Sequence, residues 1–214
     1  MDPALPVDIP AQLKNNHTIL NATLSQVEIW APYSSSISHW RTSFKFSEVI
    51  PTTRNGYDEY LEGISVDMCL PLMHVYTMDL PADVDNRCGS LKVMVRDKGR
   101  LTAHNVVCSS VFPLRQHITV LDLLKLLDSK DLQYYDFHHQ GIGCLFWQMT
   151  WLRALADRNW IQSDYYDVLG QAVASFKKNW TKSKAAIVWP PVEGKFYRAG
   201  DKGKEHSILP MITN

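Results

Sequence analysis

The chain has 214 residues, 45% of them hydrophobic, with 22 basic and 22 acidic side chains and a formal net charge of zero. Seven Trp, nine Tyr and seven Phe suit a packed core and exclude a disordered chain. The neutral balance, without long runs of one sign, gives no reason to expect a general nucleic-acid or membrane-surface binder. A chain this long buries one proper core, so residues 21–198 read as a single domain between an extended arm, 1–20, and a C-terminal tail, 199–214. There is no run of ~18 apolar residues to cross a membrane. The N-terminus lacks the basic and apolar regions of a secretory signal, so a cytoplasmic protein is expected. Cys69, Cys88, Cys108 and Cys144 form no CxxC pair, which predicts free thiols and no structural zinc.

The first 20 residues, rich in Pro and Asn, show no sustained period. Thr23 to Trp30 reads as a strand, and after the Ser-rich turn at 33–38 comes the clearest one, His39 to Phe46. There Trp40, Thr42, Phe44 and Phe46 share one face, while His39, Arg41, Ser43 and Lys45 share the other. Pro51 to Tyr60 reads as a polar loop around the turn signal Asn55-Gly56. In the strand Glu62 to Leu70, Ile64, Val66 and Met68 alternate with Ser65, Asp67 and Cys69. If it pairs with the preceding strand, Asp67 and His39 could face the same side of one sheet, in a register that the sequence does not fix. Further strands are expected at Met73–Leu80, Leu91–Arg96 and His104–Phe112. Thr119 caps a helix at Val120–Asp128, whose leucines mark a buried face.

A short extended piece, Leu132 to Phe137, leads to the most unusual stretch, in which Gly141-Ile142-Gly143 delivers Cys144 onto the first turn of an apolar helix. Cys144, Trp147, Gln148, Trp151, Leu152 and Leu155 recur at helical spacing, and Leu145, Phe146 and Met149 line the adjoining face, so this helix belongs at the centre of the domain. Ser163 or Asp164 caps a third helix reaching to about Trp180, and Ala185–Trp189 reads as a late strand stopped by Pro190-Pro191. The predicted fold is α+β: about five or six antiparallel strands packed on two to three helices.

Several chemistries drop out. The glycines before Cys144 do not complete a dinucleotide fingerprint, there is no phosphate-binding P-loop, and no Gly-x-Ser-x-Gly elbow occurs. His138 and His139 are adjacent on an extended segment and point to opposite sides, so no metal site is expected with Cys144, and no cofactor is expected. His74, His104 and His117 stand alone near strand ends. Cys144, His39 and Asp67 remain. A cysteine at a helix N-terminus is favoured as thiolate, an imidazole takes and returns its proton, and a carboxylate holds the imidazole. The Cys144 amide with Gln140 would supply an oxyanion hole. Trp40, Arg41, Gln140, Gly143, Trp147 and Trp151 are the residues expected to contact substrate. The alternative is that Cys144 is a buried structural cysteine.

Two short motifs, Ser38-His39-Trp40-Arg41 and Gly141 to Trp147, resemble the circularly permuted papain-like arrangement of the lecithin:retinol acyltransferase group, in which the histidine precedes the cysteine. His39-Trp40-Arg41, Tyr135-Asp136-Phe137, Gly141 to Trp147 and Trp189-Pro190 also resemble an uncharacterised fungal domain family found in natural-product pathways. Leu145 stands where that family carries Arg, which removes a charge beside the cysteine. The resemblance implies a thiol-dependent acyltransferase or hydrolase acting on a small-molecule or peptide-like substrate. Two other readings stand beside it: a non-catalytic or cyclase-type pocket protein lined by Trp40, Trp147 and Trp151, and a cyclodipeptide-forming enzyme that takes its aminoacyl donor from charged tRNA, for which the lysines at 177–184 would serve.

Overall fold

The computed structural model describes residues 13, 16–32, 39–54, 56–69, 88–99, 101–102, 106–138, 142–179 and 188–198. Among them a one-turn helix α1 (His17–Leu20) precedes β1 (Thr23–Pro32), β2 (Arg41–Arg54), β3 (Tyr57–Cys69), β4 (Ser90–Asp97) and β5 (Val106–Thr119). Then come α2 (Val120–Ser129), β6 (Tyr135–Asp136), α3 (Cys144–Asp157), α4 (Tyr165–Asn179) and β7 (Lys195–Phe196). The fold is α+β. Strands β1 to β5 form one antiparallel sheet in the order β4-β3-β2-β1-β5, and β6 pairs with β7 in a second.

The alternation in β2 and β3 explains the layering. Phe44, Ile64, Val66 and Met68 lie fully buried on one face, where α3 packs over β2 and β3 and Trp151 meets the Phe44 ring edge-on at 6.0 Å. Each such side chain contributes about 1.5–3 kcal/mol of burial. Helix α4 lies along β5 and buries Tyr165, Leu169 and Val173. Helix α2 starts where β5 ends: the Thr119 side chain accepts from the Asp122 amide while Asp122 reaches back to the Thr119 amide, a complete capping box.

Four sequence expectations are corrected. Residues 51–60 are not a loop: β2 continues to Arg54 and β3 begins at Tyr57, joined by a tight turn in which Gly56 has φ 80°. This ribbon runs past its neighbours, since β1 last pairs with β2 at Phe46 and β4 last pairs with β3 at Leu61. One face is exposed and the other, at Ile50, Thr52, Glu59 and Leu61, is only half-buried and partly polar, so the ribbon carries no clear apolar period. Strand β5 runs through Pro113 to Thr119 because it is an edge strand, where a missing N–H is tolerated. The N-terminal segment is not wholly extended, as Leu13, Ile19 and Leu20 are buried and 17–20 form a helical turn. Val188 and Trp189 are not in a strand, and the late strand is Lys195–Phe196. The expected strand at 73–80, residues 185–187 of the late one, and His74, His104, His139, Gln140 and Gly141 lie outside the described residues.

Candidate active site

Cys144 opens α3 and is 7% exposed. Its entry is built around Gly143, whose φ of 130° is closed to ordinary side chains. A Cβ there would also stand 2.6 Å from the Tyr135 hydroxyl. That hydroxyl, fully buried, donates to the Gly143 carbonyl at 2.8 Å, and the Trp147 amide donates to the same oxygen at 3.0 Å. The Gly194 amide in turn donates to the Tyr135 oxygen. Burial holds the Tyr135 phenol well above its ordinary pKa, so it remains a donor. The start of α3 is thereby tied to the second sheet, with its first amides lacking intrahelical acceptors.

His39 precedes β2, and its Nε2 lies 2.6 Å from Asp67 Oδ1 on β3. The same ring hydrogen-bonds to Cys144. Burial opposes charging the imidazole, but the hydrogen bonds to Asp67 and Cys144, with the attraction to both, outweigh it and push its pKa up to about 10. The other Asp67 oxygen, Oδ2, faces Arg41 Nε at 3.2 Å, an ion pair in which that N–H has no aligned hydrogen bond. Asp67 is nearly inaccessible, its side chain 4% exposed against 30% for His39. The carboxylate is thus the buried anchor and the imidazole the reachable end.

The family model described as "Domain of unknown function (DUF7770)" matches residues 73–197. The chain belongs to the DUF7770 family. No curated protein and no solved structure matches it. The DUF7770 segment carries Cys144, Gly143 and Tyr135, whereas His39, just ahead of β2, and Asp67, on β3, come before it.

The remaining expected residues divide. Arg41 is at the site, its guanidinium 5.6 Å above the Trp30 ring. Trp40, Trp147 and Trp151 are core residues, at most 2% exposed. The Trp147 indole donates to the Leu132 carbonyl at 2.7 Å. They were expected to face substrate because an apolar helix face looks the same whether it meets ligand or sheet. Gln140 lies outside the described residues.

Sequence reasoning gave no role to Gln148, one turn beyond Cys144. Fully buried, its amide donates to the Trp40 carbonyl at 3.2 Å and its oxygen accepts from the Thr42 hydroxyl. It fastens the residues flanking His39 to the helix that carries Cys144. The available signal was an amide among apolar residues, since a buried amide needs partners. The other thiols differ: burial raises Cys69, and raises Cys108 to about 11, while Cys88 sits 2.8 Å from the Tyr197 hydroxyl. Among the described residues no group of three or more His, Cys, Asp or Glu could hold a metal ion, and no helix is long and apolar enough to cross a membrane.

Proposed function

We propose that this protein is a thiol-dependent acyl-transfer enzyme with Cys144 as nucleophile, His39 as proton carrier and Asp67 as the group that orients it. The observation that carries the reading is His39 joined at once to Asp67, at 2.6 Å, and to Cys144. With Nε2 given to Asp67, Nδ1 is the ring position left for the thiol.

With its pKa pushed up to about 10, His39 already holds the proton at neutral pH, and the sulfur attacks the acyl carbon, forming the S–C bond as the carbonyl electron pair moves to oxygen. The amides at the start of α3, among them that of Cys144, are placed to receive this oxyanion. Collapse expels the amine or alcohol, which takes the proton from His39 and leaves a thioester. Water or an amine, giving its proton to His39, then attacks the thioester and releases the product and the thiol. The order histidine, carboxylate, cysteine along the chain supports a permuted papain-like arrangement. Transfer to an amine of a small-molecule or peptide-like substrate fits the biosynthetic setting that the resemblance implies.

Iodoacetamide labelling with peptide mapping tests the nucleophile. Cys144 is expected to react at neutral pH far faster than Cys69 or Cys108, which burial holds as thiols, and more slowly once His39→Ala removes the proton acceptor. Equal, slow labelling of all three thiols would end the proposal.

A further inference from the structure

The hydroxyl of Tyr135 does nothing for packing that a phenylalanine would not do. Its ring is fully buried beside Phe137 and Phe196, with centroids 5.2 and 4.8 Å away, and a hydroxyl placed there costs free energy that only hydrogen bonds offset. Two glycines make room for it: a Cβ on Gly143 would stand 2.6 Å from the hydroxyl oxygen, and one on Gly194 would overlap it. A side chain at either position would therefore push the oxygen from its place. That place is the Gly143 carbonyl, to which the hydroxyl donates at 2.8 Å.

Gly143 is the N-cap of α3 and brings no side chain to the first-turn amides, whereas Asn16 accepts from the first turn of α1 and Thr119 from that of α2. The carbonyl held by Tyr135 belongs to the peptide that opens α3, and the Trp147 amide donates to the same oxygen at 3.0 Å. Across a planar trans peptide the N–H of Cys144 points the opposite way, out of the helix start. Donation to a peptide oxygen also polarises the N–H of that peptide. We propose that Tyr135 is a positioning residue for acyl transfer: through the Gly143 carbonyl, its hydroxyl sets the Cys144 N–H that stabilises the oxyanion formed when the sulfur attacks an acyl carbon. The assignment rests on the acyl-transfer reading, which supplies the oxyanion, and on the hydrogen-bond geometry, which is independent of it. Tyr135 acts through the peptide and moves no proton.

Two reagents separate this role from a structural one. p-Nitrophenyl acetate acylates a thiolate through a tetrahedral oxyanion: the S–C bond forms as the carbonyl pair moves to oxygen, and the pair returns as p-nitrophenolate leaves with its own electrons, needing no proton. Iodoacetamide alkylates by displacing iodide, with no charge developing on a carbonyl oxygen. Acylation is followed as the initial p-nitrophenolate release that Cys144→Ala loses, and alkylation by peptide mapping at Cys144. Tyr135→Phe is expected to lower acylation by about tenfold and alkylation by less than about twofold, a smaller loss than the ~10²–10³ of an oxyanion donor removed outright. Equal falls in both rates would mean that the hydroxyl only places the thiol, and unchanged acylation that it does nothing for the oxyanion; either overturns the proposal. If wild-type Cys144 is alkylated as slowly as Cys108, the acyl-transfer reading itself fails and this assignment with it.

Because Tyr135→Phe also leaves the Gly194 amide without its acceptor, a second variant keeps the hydroxyl and the fold. 3-Fluorotyrosine placed at position 135 alone retains the ring and the hydroxyl and makes the phenol a stronger donor, and burial keeps it protonated at neutral pH. Its ratio of acylation to alkylation at Cys144 should exceed that of the wild type by about twofold. A ratio at or below the wild-type value overturns the proposal.

Discussion

His39 is held charged against its own burial. Its ordinary value of 6.5 is raised to about 10, with Asp67 and Cys144 supplying the stabilisation. Between those two values the folded protein holds a proton on His39 that the unfolded chain has lost. The contribution to stability is therefore complete below 6.5 and is lost as pH rises through about 10. The Tm difference between wild type and His39→Gln should accordingly be largest in mildly acidic buffer and shrink through the alkaline range. A difference that instead grows with pH would place the charge on the wrong side of the equilibrium. Asp67→Asn removes the carboxylate hydrogen bond, the strongest influence raising the His39 pKa, while keeping the size of the side chain. In that variant the alkaline limb of the Cys144 alkylation profile, read from rate against pH with iodoacetamide, should move down toward the ordinary histidine range.

At the scale of elements, the site is an alignment between the start of β2 and the start of α3, and Gln148 sets it. Replacing Gln148 with Met keeps volume but leaves the Trp40 carbonyl and the Thr42 hydroxyl buried without partners. At about 1–3 kcal/mol for an unsatisfied buried group, Gln148→Met should cost about 3 kcal/mol in urea unfolding. It should also slow Cys144 labelling, because His39 is adjacent to the released carbonyl. A double cycle with Thr42→Val should show coupling, and strict additivity would mean that the staple does not hold the two elements together. The polar faces of β2 and β3 were legible because a period of two separates polar from apolar residues on each strand, whereas the register that brings Asp67 to His39 was not. Cys144 was legible from two glycines preceding an apolar helix. Gln148 was not, since an amide in an apolar helix announces a partner without naming it. The core positions of Trp40, Trp147 and Trp151 were not legible either, because apolar spacing records burial and not what does the burying. The β2–β3 ribbon was misread for the converse reason, as its inner face is only half-buried and mixes Thr52 and Glu59 with Ile50 and Leu61, which leaves little apolar alternation to read.

At the scale of the whole molecule, the match to DUF7770 begins at residue 73, yet the sheet order is β4-β3-β2-β1-β5. Of the five-stranded sheet, the described residues of the matched segment supply the two outer strands, β4 and β5, which are hydrogen-bonded to β3 and β1 and not to each other. The face on which α3 packs is supplied by Phe44, Ile64, Val66 and Met68, all from strands before residue 73. A chain of residues 73–198 would expose the Trp147, Trp151 and Leu155 face of α3 to water, along with the unpaired backbone of both edge strands. Sequence similarity thus marks the half carrying Cys144, while the inner strands of the sheet and His39 come from the other half. The expected outcome is that residues 73–198 expressed alone give a poorly dispersed amide NMR spectrum and no cooperative thermal transition, whereas residues 13–198 give a dispersed spectrum with one transition. A folded 73–198 fragment would show that the sheet's three inner strands are dispensable, and the site would then have to be rebuilt without His39 and Asp67.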